Sequence, residues 1–167
     1  MKKVKKKTEN TENKKVKGAT PVEYNGIKFK STLEKRLYIH MLKLGIKPLY
    51  EANKYVLSEK VIPKVPFFNR TKRKTFHKIM SPIREVTYTP DFEFLYGAVW
   101  CIIEAKGKEN DVFPFKRNLF RKMLETWDSP VAYFEVRTIR ELNQALDFIK
   151  ELNDMIDEKA STNEEDV

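Results

Sequence analysis

The stretch "YTPDFEFLYGAVWCIIEAKG", Tyr88–Gly107, holds two apolar runs around a tight turn. The first run carries Asp91 directly after Pro90. The second, Ala98 to Ile103, ends in Glu104 and Lys106. Charged groups are costly to bury without partners, so these positions need a reason. Side chains alternate faces along a strand. Asp91 and Glu93 therefore share one face of the first strand, with Phe92 and Phe94 on the other; Ile102, Glu104 and Lys106 share a face of the second. A two-residue turn at Tyr96-Gly97 pairs Leu95 with Ala98 and Asp91 with Ile102. Glu104 then becomes a diagonal, same-face neighbour of Asp91, roughly 7 Å away between backbones. A three-residue turn sends the carboxylates to opposite faces unless a bulge intervenes.

Two carboxylates within reach of each other repel and resist desolvation. A hard divalent cation relieves both costs. Magnesium takes oxygen ligands, usually one or two carboxylates with waters and substrate phosphate. The Ala105 carbonyl is a further candidate ligand. Lys106, one same-face step beyond Glu104, is placed to steady a phosphate oxygen or a nucleophilic water. The competing reading is an ion network of Asp91, Glu104 and Lys106 at a sheet edge, with no chemistry attached.

Around this hairpin the pattern is α/β, a mixed sheet of about four strands flanked by helices. "STLEKRLYIHMLKLG" is a helix, with Ser31 as N-cap, Glu34 completing a capping box and Gly45 as C′ residue. A strand is expected over Leu49–Leu57. Glu85–Leu95 and Ala98–Lys106 form the hairpin, and a second helix runs from about Pro114 to Trp127. "PVAYFEVR" is a fourth strand. "TIRELNQALDFIKELNDMI" is a third helix, capped by Thr138 and Glu141.

Between these elements, residues 58–84 are the least regular part of the chain. Pro63, Pro66 and Pro82 interrupt them, and Lys72, Arg73 and Lys74 sit among Phe67, Phe68 and Phe76. Basic residues mixed with aromatics suit contact with phosphates and bases. An extended hairpin whose phenylalanines cover the core edge is the other reading. On the second helix Lys116, Arg117, Arg121 and Lys122 suit phosphate contacts, or form a solvated face. Lys108 follows the hairpin and joins the candidate DNA contacts.

The chain has 167 residues, a net charge of +9 and 41% hydrophobic residues, which fits one globular domain. The charge is unevenly spread. Eight lysines and two glutamates fill the first 17 residues. Residues 1–20 are therefore expected as a disordered basic arm, 21–157 as the folded domain and 158–167 as an acidic disordered tail. Such a balance predicts an anionic partner, nucleic acid above all. Cys101 is the single cysteine, so no intramolecular disulfide forms, in keeping with a reducing compartment such as the cytoplasm. No apolar run is long enough for a membrane span. His40 and His77 lack cysteine partners for a structural zinc site.

Pro90-Asp91 and Glu104-Ala105-Lys106 resemble the two halves of the PD-(D/E)xK nuclease motif. With "STLEKRLYIHMLKLGIKPLYE" and "YTPDF" ahead of "IIEAKG", the chain is similar to the phage-type endonuclease I family of Holliday-junction resolvases. It is also similar to a related family of phage and prophage nucleases, which has counterparts of "GIKFKSTLE" and "FKRNLFRK". The likeness covers roughly Tyr24 to Val136. It implies a restriction-endonuclease-like core, divalent-metal dependence and cleavage of DNA backbones. With the carboxylate pair this gives Mg²⁺, with Mn²⁺ as substitute, no small-molecule cofactor and DNA, branched or recombining, as substrate. A nuclease that breaks two strands is easiest to build as a homodimer with two sites. Asp91 and Glu104 are then metal ligands, Lys106 is the catalytic lysine and Glu34 the acid that the first helix contributes. The long basic 58–84 segment, the lysine arm and the lack of a long exchange linker depart from the short resolvases. A non-catalytic nucleic-acid-binding protein, or a subunit of a phage DNA-processing machine, is the alternative.

Overall fold

The computed structural model describes residues 20–107 and 112–165. Most of the expected arm, residues 1–19, and Lys108 lie outside them. The first described element is a small hairpin, β1 (Val22–Tyr24) and β2 (Ile27–Phe29). It leads into α1 (Thr32–Lys43). Ser31 caps α1 as its sequence predicts: its Oγ accepts the Glu34 N–H at 3.2 Å. Gly45 follows the helix at φ +78°, the left-handed conformation that a glycine after a helix adopts at least cost.

The strand expected over Leu49–Leu57 is two strands. β3 (Leu49–Tyr50) and β4 (Tyr55–Ser58) belong to different sheets. The break begins at Glu51, whose φ of +45° turns the chain out of the extended conformation. The basic segment then forms β5 (Phe67–Arg70) and β6 (Phe76–Ile79), an antiparallel ribbon. Its phenylalanines do not cover the core edge: Phe67, Phe68 and Phe76 are all more than half exposed. β7 (Val86–Tyr88) pairs with β4, not with the central sheet. The expected Glu85–Leu95 strand is thus also divided, at Thr89-Pro90-Asp91, where proline has no N–H for a ladder.

β8 (Phe92–Tyr96) and β9 (Val99–Ala105) form the predicted antiparallel hairpin. α2 (Phe113–Leu124) crosses over to β10 (Val131–Val136), which lies parallel to β9. α3 (Ile139–Glu165) closes the fold. The Thr138 hydroxyl accepts the Glu141 N–H at its start. The helix also runs on through most of the segment expected as a disordered tail. Among the described residues the central sheet has the order β10-β9-β8-β3, a mixed four-stranded sheet flanked by helices. No helix of the described residues is long and apolar enough to cross a membrane.

Two cores follow from strand alternation. On one face Phe92, Phe94, Val99, Cys101 and Ile103 pack with Leu37 and Met41 of α1 and Leu142, Ala145 and Ile149 of α3. On the other, Ile102 packs with Tyr88 and with Phe113, Phe120 and Leu124 of α2. Cys101 is a buried thiol, pushed up to about 12 by desolvation. Each fully buried large apolar side chain is worth about 1.5–3 kcal/mol, so these two faces hold the sheet rigid beneath its polar end.

Candidate active site

The turn of the central hairpin lies one residue later than the sequence suggests. Tyr96 pairs with Val99, and Gly97-Ala98 is the loop. Gly97 takes φ +59° at the first loop position. That suits a hairpin turn with glycine first, whereas Tyr96 in that place would need a left-handed tyrosine or a turn that splays the strands. Asn153 of α3 secures the arrangement. Its Oδ1 accepts the Ala98 N–H at 2.8 Å, and its Nδ2 donates to Tyr96 O and Ile149 O, each at 2.9 Å. Every cross-strand pair moves by two positions relative to the expected register. The acids keep their face, but Asp91 now continues the ladder directly opposite Glu104 rather than diagonal to it.

Asp91 completes the ladder with its side chain. Its Oδ2 accepts the Ala105 N–H at 2.8 Å, and its carbonyl accepts the Glu51 N–H at 2.9 Å. Its other carboxylate oxygen, Oδ1, has no hydrogen-bond partner among the described residues. The group is buried, at 8% exposure. Desolvation, then the charges of Glu104 and Glu34, hold its carboxyl well above the usual carboxylate range, against the opposing Ala105 hydrogen bond.

Glu104 is held from two sides. Lys106 Nζ donates to Oε1 at 2.7 Å and the Tyr88 hydroxyl donates to Oε2 at 2.6 Å. Tyr88 is in turn 3.1 Å from the Tyr133 hydroxyl. Burial, then the Glu104 charge, raises the Tyr88 phenol far above its ordinary range, so it acts as a neutral donor. The Lys106 ammonium also lies over the Phe113 ring, 3.0 Å from its centroid, and its side chain is only 11% exposed.

Glu34 does double duty in the helix cap. Its Oε1 accepts the Ser31 hydroxyl at 2.7 Å, and its Oε2 accepts the Lys30 N–H at 2.9 Å and the Tyr50 hydroxyl at 2.6 Å. The carboxylate is buried on the α1 side yet close enough to act on Asp91 by charge. Glu51, ion-paired to Lys30, adds a further negative charge beside Asp91. Among the described residues no group of three or more His, Cys, Asp or Glu side chains is gathered to hold a metal ion. Asp91 and Glu104 stand as the facing pair, with Ala105 between Glu104 and Lys106 on β9.

Sequence reasoning missed several neighbours. Tyr50 and Glu51 end the "GIKPLYE" stretch after α1, and Tyr88 opens the quoted hairpin; a hydroxyl or carboxylate beside each motif acid was the available signal. Glu93 went unassigned. It is fully buried, its Oε2 accepting from Tyr55, Asn53 and Trp100, while Oε1 has no partner. The candidate DNA contacts divide. Lys72, Arg73 and Lys74 cap the exposed β5–β6 ribbon and Arg121 is exposed on α2. Lys116 donates to the Thr87 carbonyl at 2.9 Å and Arg117 pairs with Glu135 at 3.2 Å, so both brace the second core.

Comparison of the chain with protein-family models, curated proteins and solved structures finds no match.

Proposed function

We propose that this chain is a divalent-metal-dependent DNA endonuclease of the restriction-endonuclease-like kind. The reading rests on one observation: Asp91 and Glu104 face each other across a rigid hairpin, with Lys106 on the same strand end and ion-paired to Glu104. A buried acid raised by desolvation and by the charges of Glu104, Glu34 and Glu51, with no ion pair of its own among the described residues, is a poor structural choice. The same oxygen-only donor set fits a hard cation, for which one or two carboxylates plus waters and phosphate suffice.

Asp91 and Glu104 would hold Mg²⁺, or Mn²⁺ in its place, with the Ala105 carbonyl as a further contributor, while Glu34, its oxygens taken by Ser31, the Lys30 N–H and Tyr50, would act through its charge on Asp91. The ion, when bound, supplies Lewis-acid stabilisation of the phosphate and lowers the pKa of an attacking water. The chain's own groups do the rest. The Ala105 N–H orients the Asp91 carboxylate, and Tyr88 orients that of Glu104. Lys106 neutralises one charge of the acid pair in the free protein. With substrate present, its ammonium stabilises negative charge developing on the phosphate oxygens. Phe113 and Tyr88 cover this end of the sheet and limit water access, which strengthens each of these interactions.

The second reading is a nucleic-acid-binding protein without catalysis. It is favoured by the engagement of both Glu104 oxygens by Lys106 and Tyr88. One assay panel separates the two. Labelled linear duplex, flap, four-way junction and single strand are each incubated with Mg²⁺, Mn²⁺, Ca²⁺ or EDTA. Cleavage in Mg²⁺ and Mn²⁺ that disappears in EDTA, and in Asp91→Ala and Glu104→Ala, is the expected result. Binding without cleavage under every condition leaves only the second reading.

A further inference from the structure

We propose that the β5–β6 ribbon is an arm that enters the major groove of duplex DNA, so that duplex rather than single strand is the substrate class. The proposal rests on the nucleic-acid reading above for the nature of its partner, and on three features of the ribbon for the mode of binding.

The first is exposure. All twelve residues from Phe67 to Lys78 are exposed, and they pack on neither of the two cores. Two-stranded hairpins are marginally stable alone in water. This one is tied down at its base by the Val61–Ile83 bridge, with N–H···O distances of 3.0 and 2.8 Å. Phe67, Phe68 and Phe76 are 62%, 53% and 77% exposed, an apolar surface that a partner would cover.

The second is charge. From Lys60 to Arg84 there are eight Lys or Arg residues and no Asp or Glu. Among the described residues none of the eight is in an ion pair. A second copy of the same arm would be repelled by it; a polyphosphate would not.

The third is geometry. The register pairs Phe68 with Lys78 and Arg70 with Phe76. Strand alternation therefore places these four on one face, aromatic and cation at diagonal corners. At the tip, Thr71 O accepts the Lys74 N–H at 3.0 Å and Thr71 N–H donates to Thr75 O at 2.8 Å. Lys72, Arg73 and Lys74 form the turn, and Lys74 sits at φ +63°. Glycine or asparagine is the easy occupant of that conformation, so a lysine there keeps a third cation at the tip at some conformational cost. Paired strands about 4.8 Å apart, with side chains, fit a major groove about 12 Å wide and exceed a minor groove about 6 Å wide. A single strand has no groove to receive them.

The test uses the full chain in EDTA, so that cleavage cannot interfere. Fluorescence anisotropy measures binding of a labelled duplex of about 30 base pairs and of one of its strands, over about 50–200 mM salt. The triple variant Lys72→Ala, Arg73→Ala, Lys74→Ala should lose at least about tenfold in duplex affinity. Its logarithmic salt slope should fall by about 2–3, since each lost phosphate contact removes about one. Phe68→Ala with Phe76→Ala should weaken duplex binding at unchanged salt slope. Single-strand binding should change less in both. Thermal melting should match the parent, because the ribbon lies outside both cores. Unchanged duplex affinity in the triple variant would overturn the proposal. So would equal losses for duplex and single strand, or a ribbon-dependent shift in oligomeric state without a change in DNA affinity. A parent that binds duplex through the ribbon but cuts nothing would sink the nuclease reading alone. A parent that cuts, with binding indifferent to the ribbon, would sink only this one.

Discussion

The Asp91 carboxylate accepts the backbone N–H of Ala105 at 2.8 Å across the β8–β9 hairpin. One bond thus fixes the direction of the acid, ends the ladder where Pro90 cannot, and holds Asp91 opposite Glu104.

The buried Asp91 carboxylate should make the metal-free protein more stable in mild acid. Its native carboxyl is raised above the model-compound value of 3.8, by burial first and by Glu104 and Glu34 next. The native state therefore holds this proton more tightly than the unfolded chain. The associated stability is complete below the ordinary carboxylate range and is lost as pH rises through the raised native value. Asp91→Asn removes the penalty and keeps an oxygen for the Ala105 N–H. Near pH 7 it should be more stable than the parent, and the gain should shrink toward pH 4. Melting curves with and without Mg²⁺ check it: Mg²⁺ should raise the Tm of the parent and leave Asp91→Asn unmoved, and cleavage should be lost.

Glu34→Gln separates the cap from the chemistry. The amide oxygen can still accept from the Lys30 N–H and the Tyr50 hydroxyl, and the amide NH₂ can donate to Ser31, so melting should shift by less than about 1 kcal/mol. Cleavage should fall at least about a hundredfold, a loss of some 2.7 kcal/mol of transition-state stabilisation. Glu34→Ala, which also abandons three donors, should in addition cost about 1–3 kcal/mol of stability. Full activity in the Gln variant would return Glu34 to a purely structural role.

The hairpin register should depend on Gly97 and Asn153. A Cβ at Gly97 would lie 2.1 Å from Asn153 Oδ1, in a residue at φ +59°. Gly97→Ala should cost about 2–4 kcal/mol. Asn153→Ala should cost about 1–3 kcal/mol through the lost bonds to Tyr96, Ala98 and Ile149. The two changes should be less than additive, because the second removes the group that the first collides with. Denaturant unfolding of the double-mutant cycle measures this, and additive losses would contradict the contact.

Glu93 should be the most sensitive polar position in the sheet. Glu93→Ala leaves the half-buried Tyr55 hydroxyl and Trp100 indole N–H, and the amide of exposed Asn53, without their shared acceptor, and empties the fully buried place of the Glu93 side chain. A loss of about 3–5 kcal/mol is expected from the orphaned donors and the cavity together. Glu93→Gln preserves an acceptor oxygen and should cost much less. Equal losses in the two variants would show that the carboxylate itself, rather than the side chain's volume or one retained acceptor oxygen, governs the site.

The three helices and β9 and β10 were legible because their signals are local. Ser31, Gly45 and the Thr138–Glu141 pair act within a turn of their helices, and the apolar run of β9 needs no partner to be recognised. The division of Leu49–Leu57 was not legible. It turns on Glu51, a residue with no glycine-like freedom that is held at φ +45° while its N–H bonds Asp91 O. The exposure of Phe67, Phe68 and Phe76 was equally hidden, since an aromatic strand reads alike whether it covers a core or projects from it. At the site, Asp91, Glu104 and Lys106 were legible as motif residues, whereas Tyr88, Tyr50 and Glu51 join them only through pairings distant along the chain.

By its sequence alone the protein determined which side of the sheet its acids occupy. Alternation has a period of two, and a shift of the turn that moves every pair by two positions leaves each side chain on its original face. Whether Asp91 meets Glu104 directly or at a diagonal was decided only by the tertiary structure. The deciding contact comes from Asn153, more than fifty residues after the turn it holds, and a hydrogen bond of that reach exists only once α3 has packed across the sheet.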